Sequence, residues 1–310
     1  MQTAHVLNLI NNTGVERTPL ERELSRRRFW ACYLTNCHAS NSMFSITPPG
    51  KLDPLPLPWR ESEFEIGRSD SAPVTFGSGS TNGGIYSELI RAMTHWLVFF
   101  YVSYIDESYA KSFSRSSVDS LMKTAGSNHQ ARITTIHQLD AEIRKWWVQL
   151  PPNLQLNPTT LPTFQRVDLT KVLLVHVIYH QCLCALHASI VPLFTWGPDL
   201  LNQALAQEFS AQLAYENACA TSRLFKMMLD HSQDMSDFPS FLGYAAYCSF
   251  AVQVPFRWCL DASVRETAQN NTAINLRVIQ VMGGYWKFIA LLVSSASPPK
   301  RNASAVCSNI

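Results

Sequence analysis

An all-α fold, built as a large multi-helix bundle, is what this 310-residue sequence predicts, and three observations predict it. Apolar residues recur at the three-and-four spacing of a helix, while strand-type alternation is sustained nowhere. Helix start and stop signals frame those stretches. Hydrophobic residues make up 46% of the chain and charged residues 15%, against roughly 25% charged in an ordinary soluble protein, so apolar surface is plentiful for burial between helices. The same composition excludes a disordered chain, which needs low hydrophobicity and high net charge. With 25 basic and 23 acidic residues, a net charge of +2 and a pI near 8.1, it also excludes a protein that grips phosphates by bulk basicity.

The first element begins at Thr18-Pro19-Leu20-Glu21. Thr18 suits a cap, Pro19 suits the first helical position, and Glu21 can reach back to complete a capping box. Phe29, Cys32, Tyr33, Asn36 and Cys37 then recur at helical spacing and take this helix into the core. The prolines at 48, 49, 54, 56 and 58 predict an extended run, and Gly67 to Gly84 predicts a Gly/Ser-rich loop, so 45–84 reads as non-helical. A second polar loop is expected over about 114–130. Helices are expected over about 85–110, 132–150, 168–190, 199–230, 240–260 and 272–294. In the second of these Ile133, Ile136, Leu139, Ile143, Trp147 and Leu150 form an apolar stripe, Asp140 precedes Arg144 by one turn, and Pro151-Pro152 ends it. One domain is expected over 1–295, with a flexible tail over 296–310.

The eight cysteines mostly sit in apolar runs, and MQTAHVLNLINN lacks the basic start and long apolar centre of a signal peptide. The thiols therefore read as reduced and intracellular, and the glycosylation patterns at Asn11, Asn270 and Asn302 as chance matches. Two stretches, Val172 to Pro198 and Phe238 to Phe256, carry no charged side chain and reach the roughly 20 residues of a membrane span. His176, His180, Gln181 and His187 interrupt the first; Gln253 and flanking prolines mark the second. Both read as helices buried in a soluble bundle.

The segments ERELSRRRFWACYL and PLPLPWRESEFEIG together resemble the hallmark of the fungal-specific transcription factor domain, the middle homology region of fungal binuclear zinc-cluster regulators. Arg26, Arg27, Arg28, Phe29 and Trp30 match the family's arginine-aromatic part. Leu57, Pro58, Glu61, Glu63, Phe64 and Gly67 match its extended part. LDAEIRKWWVQLPPNL, with Trp147, and VLLVHVIYHQCLCALH, with Tyr179, resemble later helices, as do FLGYAAYCSFAVQV and LRVIQVMGGYWKFI. The likeness runs from about Ala4 to Leu292. It departs at Thr35-Asn36-Cys37 and at Ser45-Ile46-Thr47-Pro48, where the family has an Asp and a Gly-Arg-Pro turn. It also departs at the front: no C-x-x-C occurs in this sequence, so the family's zinc cluster is expected to be missing. The chain reads as truncated at its N-terminus relative to that architecture, with no DNA-binding residues.

The resemblance implies a regulatory domain that acts in the nucleus and modulates transcription by RNA polymerase II through an effector or a partner. Expected partners are other transcription regulators or a homologous full-length factor, with a small-molecule effector and homodimer formation as further options. DNA would be reached indirectly, no membrane is expected, and zinc would belong to the missing cluster, so no cofactor is expected here. Arg26, Arg27, Arg28, Phe29, Trp30, Pro58, Phe64, Gly67, Trp147 and Tyr179 are implied as structural, and Arg28→Ala is expected to lower the unfolding midpoint. One alternative is a stand-alone effector- or partner-binding protein that inhibits a full-length relative. Another is a helical membrane protein, for which the two uncharged stretches are the support.

Three further constellations carry two readings each. His176, His180, Cys184 and His187 form one helical stripe that offers metal ligands, or else histidines bonded to neighbouring helices. Arg26, Arg27 and Arg28 offer a basic patch, but fan out at about 100° per residue, and pairing with Glu21, Glu23 or acids elsewhere is the alternative. Trp146, Trp147, Tyr244, Tyr247 and Trp286 could line an effector pocket or fill core. No nucleophile elbow, P-loop or HExxH pattern is present, so no enzyme activity is expected.

Overall fold

The computed structural model describes residues 18–38, 52–79, 84–104, 129–156, 164–191, 204–231 and 234–296, with single residues at 160 and 194. These form an all-α fold: among the described residues there are helices, turns and one isolated bridge, and no strand. The order is α1 (Pro19–His38), α2 (Glu61–Ile66), α3 (Ile85–Tyr104), α4 (His129–Val148), α5 (Arg166–Ala188), α6 (Ala204–His231), α7 (Ser240–Gln253), α8 (Ala262–Gly283) and α9 (Lys287–Ala296). The chain forms two compact units, Met1–Ala220 and Thr221–Ile310. Most of the expected loop over 114–130, and the tail beyond Ala296, lie outside the described residues.

In the first unit α1 starts as its sequence dictates. The Thr18 N–H donates to Glu21 Oε2 at 2.8 Å and the Glu21 N–H donates to Thr18 Oγ1 at 3.2 Å, a complete capping box. α3 pairs extensively with α5, while α1 packs on α3 and α4 on α5. α5 is apolar nearly all round and buried nearly all round, as the central member of a helical layer must be. It is long and apolar enough to cross a membrane, yet 89% of its apolar window is buried inside the protein.

The segment read as non-helical over 45–84 contains a short helix, α2, which the proline run masked in the sequence. Arg60 N–H donates to Glu63 Oε2 at 3.1 Å, and Glu61 and Glu63 favour the first turn. α2 ends where Gly67 takes φ 78°, a left-handed conformation that costs a side-chain-bearing residue about 1 kcal/mol or more. The backbone N–H groups of Gly67 and Arg68 then reach back to Phe64 and Glu63. On either side of α2 the proline run and the Gly/Ser segment hydrogen-bond to each other: Leu57 to Val74, Phe76 to Leu55, Gly77 to Asp53. Gly77 is needed there because a Cβ would stand 2.7 Å from that of Asp53.

In the second unit α7 pairs with α8, and α9 packs on both. The helix expected over 240–260 stops at Gln253, because Pro255 cannot continue it and opens a 3-10 turn, Pro255–Trp258. The helix expected over 272–294 is two helices. α8 starts earlier, capped by Asp261, whose Oδ1 accepts from the N–H groups of Ser263 (2.8 Å) and Val264 (3.2 Å). It ends at Gly283-Gly284, where two glycines in succession weaken the helical backbone. Buried Ser222 accepts from the side-chain amides of Gln253 (2.9 Å) and Asn275 (3.0 Å), which fixes the register of these helices. Gly243 leaves room for Ile289 of α9, three atoms of which lie about 3.0 Å from where a Cβ would be.

Candidate functional site

The residues singled out by the arginine-aromatic motif, Arg28 excepted, gather in one cluster with Glu23. Its carboxylate is fully buried and accepts three hydrogen bonds: from Arg26 Nη1 at 2.7 Å, Arg27 Nε at 2.9 Å and the Trp59 N–H at 2.9 Å. Arg27 also donates to Glu61 at 3.0 Å and to the Trp59 carbonyl at 3.2 Å, and lies 3.8 Å over the ring of Phe64. Trp30 is 1% exposed, donates from Nε1 to the Pro56 carbonyl at 2.9 Å, and makes an edge contact with Phe29. The Pro58 carbonyl accepts from Ser87. Gly67 and Phe64 close α2 beside Arg27.

Arg28 stands apart. It is exposed and makes no ion pair among the described residues, because the next position on the helix turns it away from Glu23 and α2. The expectation that Arg28→Ala lowers the unfolding midpoint is therefore corrected. Arg28→Ala should leave the midpoint unchanged, while Arg27→Ala should cost roughly 2 kcal/mol through its lost charged hydrogen bonds. Equal shifts in a thermal melt of the two variants would refute this assignment.

The stripe on α5 is parted among different partners rather than gathered. His176 Nε2 lies 2.9 Å from the Leu154 carbonyl and 3.0 Å from the Leu156 N–H, so its tautomer selects which bond forms. His180 Nδ1 meets Asn217 Oδ1 at 2.9 Å. Cys184 is 1% exposed. Among the described residues no three His, Cys, Asp or Glu side chains are grouped to hold a metal ion. Trp147 stacks on Tyr179 with centroids 4.0 Å apart and rings within 9° of parallel, joining α4 to α5. Burial raises the Tyr179 hydroxyl pKa.

His187 links three helices. Its Nε2 lies 3.1 Å from Asp140 Oδ1 and its Nδ1 lies 3.2 Å from Ser210 Oγ, while Arg144 donates to Asp140 at 2.7 Å. Burial alone would raise the Asp140 pKa, but the hydrogen bonds from His187 and Arg144 hold it at about 2. The ionised carboxylate requires the proton on Nε2, so in the neutral ring Nδ1 accepts from Ser210. A Ser-His-Asp series invites a hydrolytic reading, but hydrolytic triads place the serine on Nε2 and the carboxylate on Nδ1. Here both are reversed, and Ser210 and His187 are 0% exposed, so no substrate reaches the hydroxyl. The series is a clamp between α4, α5 and α6.

One arrangement suited to holding a ligand is a cavity of about 380 Å³ within the first unit. Phe76, Val98, Leu139 and Trp146 supply apolar wall; Arg91 and His95 supply polar atoms. Arg91 is 7% exposed, and Glu88, on the preceding turn, lies 3.6 Å away, too far for a hydrogen bond. Among the described residues, Arg91 Nη2 and Glu88 Oε1 each lack a hydrogen-bond partner. Glu88 is fully buried and accepts from Trp146 Nε1 at 2.9 Å; burial raises its pKa against the opposing pull of Arg91 and Trp146. Burial likewise lowers the pKa of Arg91 against the pull of Glu88. Sequence reading had reached Trp146 but missed the pair. Its signal was there: Glu88 and Arg91, at i and i+3, are the two charged residues of α3.

The cavity and the motif cluster are continuous. Phe76 stacks on Trp30 at 5.8 Å, and Thr94, another wall residue, meets the Tyr33 hydroxyl at 3.1 Å. Tyr244, Tyr247 and Trp286, the remaining aromatic candidates, belong to the second unit, where Tyr244 stacks on Phe288 and Trp286 donates to the Phe238 carbonyl. Comparison with protein-family models, with curated proteins and with solved structures found no match for this chain.

Proposed function

We propose that this chain is the regulatory domain of a fungal transcription factor of the zinc-cluster class, modulating transcription by RNA polymerase II from the nucleus by binding an effector or a partner regulator. What supports the reading is the joining of the two motif halves it was first recognised from. Arg27 of the first half is bonded to Glu61 and the Trp59 carbonyl of the second, across 34 and 32 residues of sequence. A motif whose halves depend on each other is a unit of architecture, and α1 is thereby tied to a ligand-sized cavity. The mechanism would be a population shift: a ligand that prefers one packing of α1 on α3 biases the domain toward it.

The test is a fusion of the chain to an unrelated bacterial DNA-binding module, expressed in yeast with a reporter under the matching operator. Output should differ from that of the module alone, in either direction. Equal output under all growth conditions tried would remove the regulatory reading. Co-purification of a full-length zinc-cluster factor in the absence of any reporter effect would favour the stand-alone inhibitor instead.

A further inference from the structure

We propose that the cavity bounded by Phe76, Arg91, Val98 and Trp146 binds a small amphipathic carboxylate, with the acid group on Arg91 and the apolar body against the aromatic and aliphatic wall. The proposal deepens the effector-binding reading above and rests on it. Size admits this class: about 380 Å³ falls within the roughly 300–1,000 Å³ that small-molecule sites occupy. Charge selects it. A guanidinium that is 7% exposed, with Glu88 at 3.6 Å and one nitrogen unpartnered among the described residues, is an incompletely satisfied buried cation. A carboxylate matches the guanidinium fork better than any neutral group does. Among the other charged lining residues, exposed Lys145 adds a second cation against the one acid, Glu142.

The walls also say what binding would do. Phe76 carries the contact to Trp30 and Thr94 the contact to Tyr33, so a molecule seated here buttresses α1 against α3. Ligand and fold stability are then linked by mass action, and the unfolding midpoint rises with ligand concentration.

The experiment is calorimetric titration of the purified full chain with 3-phenylpropionate, and with 3-phenylpropanamide, which has the same shape without the charge. The acid should bind saturably, and the amide roughly tenfold more weakly or worse, as expected for losing a charged hydrogen bond. Arg91→Gln should abolish that preference. Because this variant leaves Glu88 buried beside a neutral group, the double variant Glu88→Gln/Arg91→Gln serves as a folded control and should also bind acid and amide alike. No saturable binding of the acid, equal binding of acid and amide by the natural chain, or undiminished acid preference in the double variant would each overturn the proposal. The measurement uses neither DNA nor reporter. Carboxylate binding without reporter activity would leave the site standing and remove the transcriptional reading; reporter activity without carboxylate binding would do the reverse.

Discussion

Glu23→Ala is expected to destabilise the fold by about 3–5 kcal/mol, the range for breaking a buried ion pair from one side. The carboxylate is 0% exposed and accepts from two guanidinium groups and one backbone N–H. Removing it leaves Arg26 without its carboxylate and Arg27 with Glu61 alone, their side chains 16% and 18% exposed. It also leaves the Trp59 N–H without its acceptor, a further cost of about 1–3 kcal/mol that overlaps the first. The loss exceeds what Arg27→Ala should produce, because truncating Arg27 leaves Glu23 with two of its three donors. Glu23→Gln should fall between, since an amide oxygen keeps one acceptor and forfeits the charge. Urea unfolding of the full chain and its variants checks the order: Glu23→Ala lowest, then Glu23→Gln, then Arg28→Ala equal to the natural chain. A Glu23→Ala loss under about 1 kcal/mol would place this carboxylate among surface pairs, which are worth that little, and would break the link between the motif halves.

Local interactions were legible in the sequence and distant ones were not. Thr18-Pro19-Leu20-Glu21 announces a capping box because every partner lies within one turn, and the bonds are where the spacing puts them. The α4 stripe was legible for the same reason: Ile133, Ile136, Leu139 and Ile143 are all buried. Pairing of the arginines with acids was expected, but the partner Glu61 lies beyond a proline run that reads as extended, and nothing local orders three successive arginines by importance. That order comes from the helical rotation which turns Arg27 toward α2 and Arg28 away. The α5 histidines share a face, as their spacing required. Which neighbour each would meet depended on where α4, α6 and the 3-10 turn Pro152–Leu154 come to lie. The helix expected over 272–294 ran through Gly283-Gly284, where the structure ends α8. The cavity was illegible because its walls come from three separated stretches of chain, around Phe76, Arg91 and Trp146.

Lowering the pH from about 6.5 to about 4 should cost the fold roughly 3 kcal/mol through His176 alone. Burial is the main cause of its low pKa, about 4 against 6.5 for the free side chain, aided by the neighbouring His180 and opposed by the Leu154 carbonyl. Within that window the unfolded chain carries a proton on this residue that the folded chain refuses, so the stability falls as the pH falls. The span of 6.5 − 4 = 2.5 pH units, at about 1.4 kcal/mol per unit, gives the magnitude. Protonation would also forbid Nε2 from accepting the Leu156 N–H, releasing the turn that follows α4. Two other groups titrate nearby in pH but are separable. Asp140, held at about 2, loses its contribution below pH 3.8, under this window. Glu88, whose folded pKa is raised, acts in the opposite sense, since acid relieves its buried charge. The comparison that isolates His176 is therefore the natural chain against His176→Gln, with Glu88 common to both. Urea midpoints measured between pH 4 and 7 should converge as the pH falls, the natural chain losing its advantage and the variant showing a flatter profile. Parallel profiles would mean that the ring titrates at its ordinary value, and that the α5 stripe is wetter than its packing against Trp147 and the Leu154 turn requires.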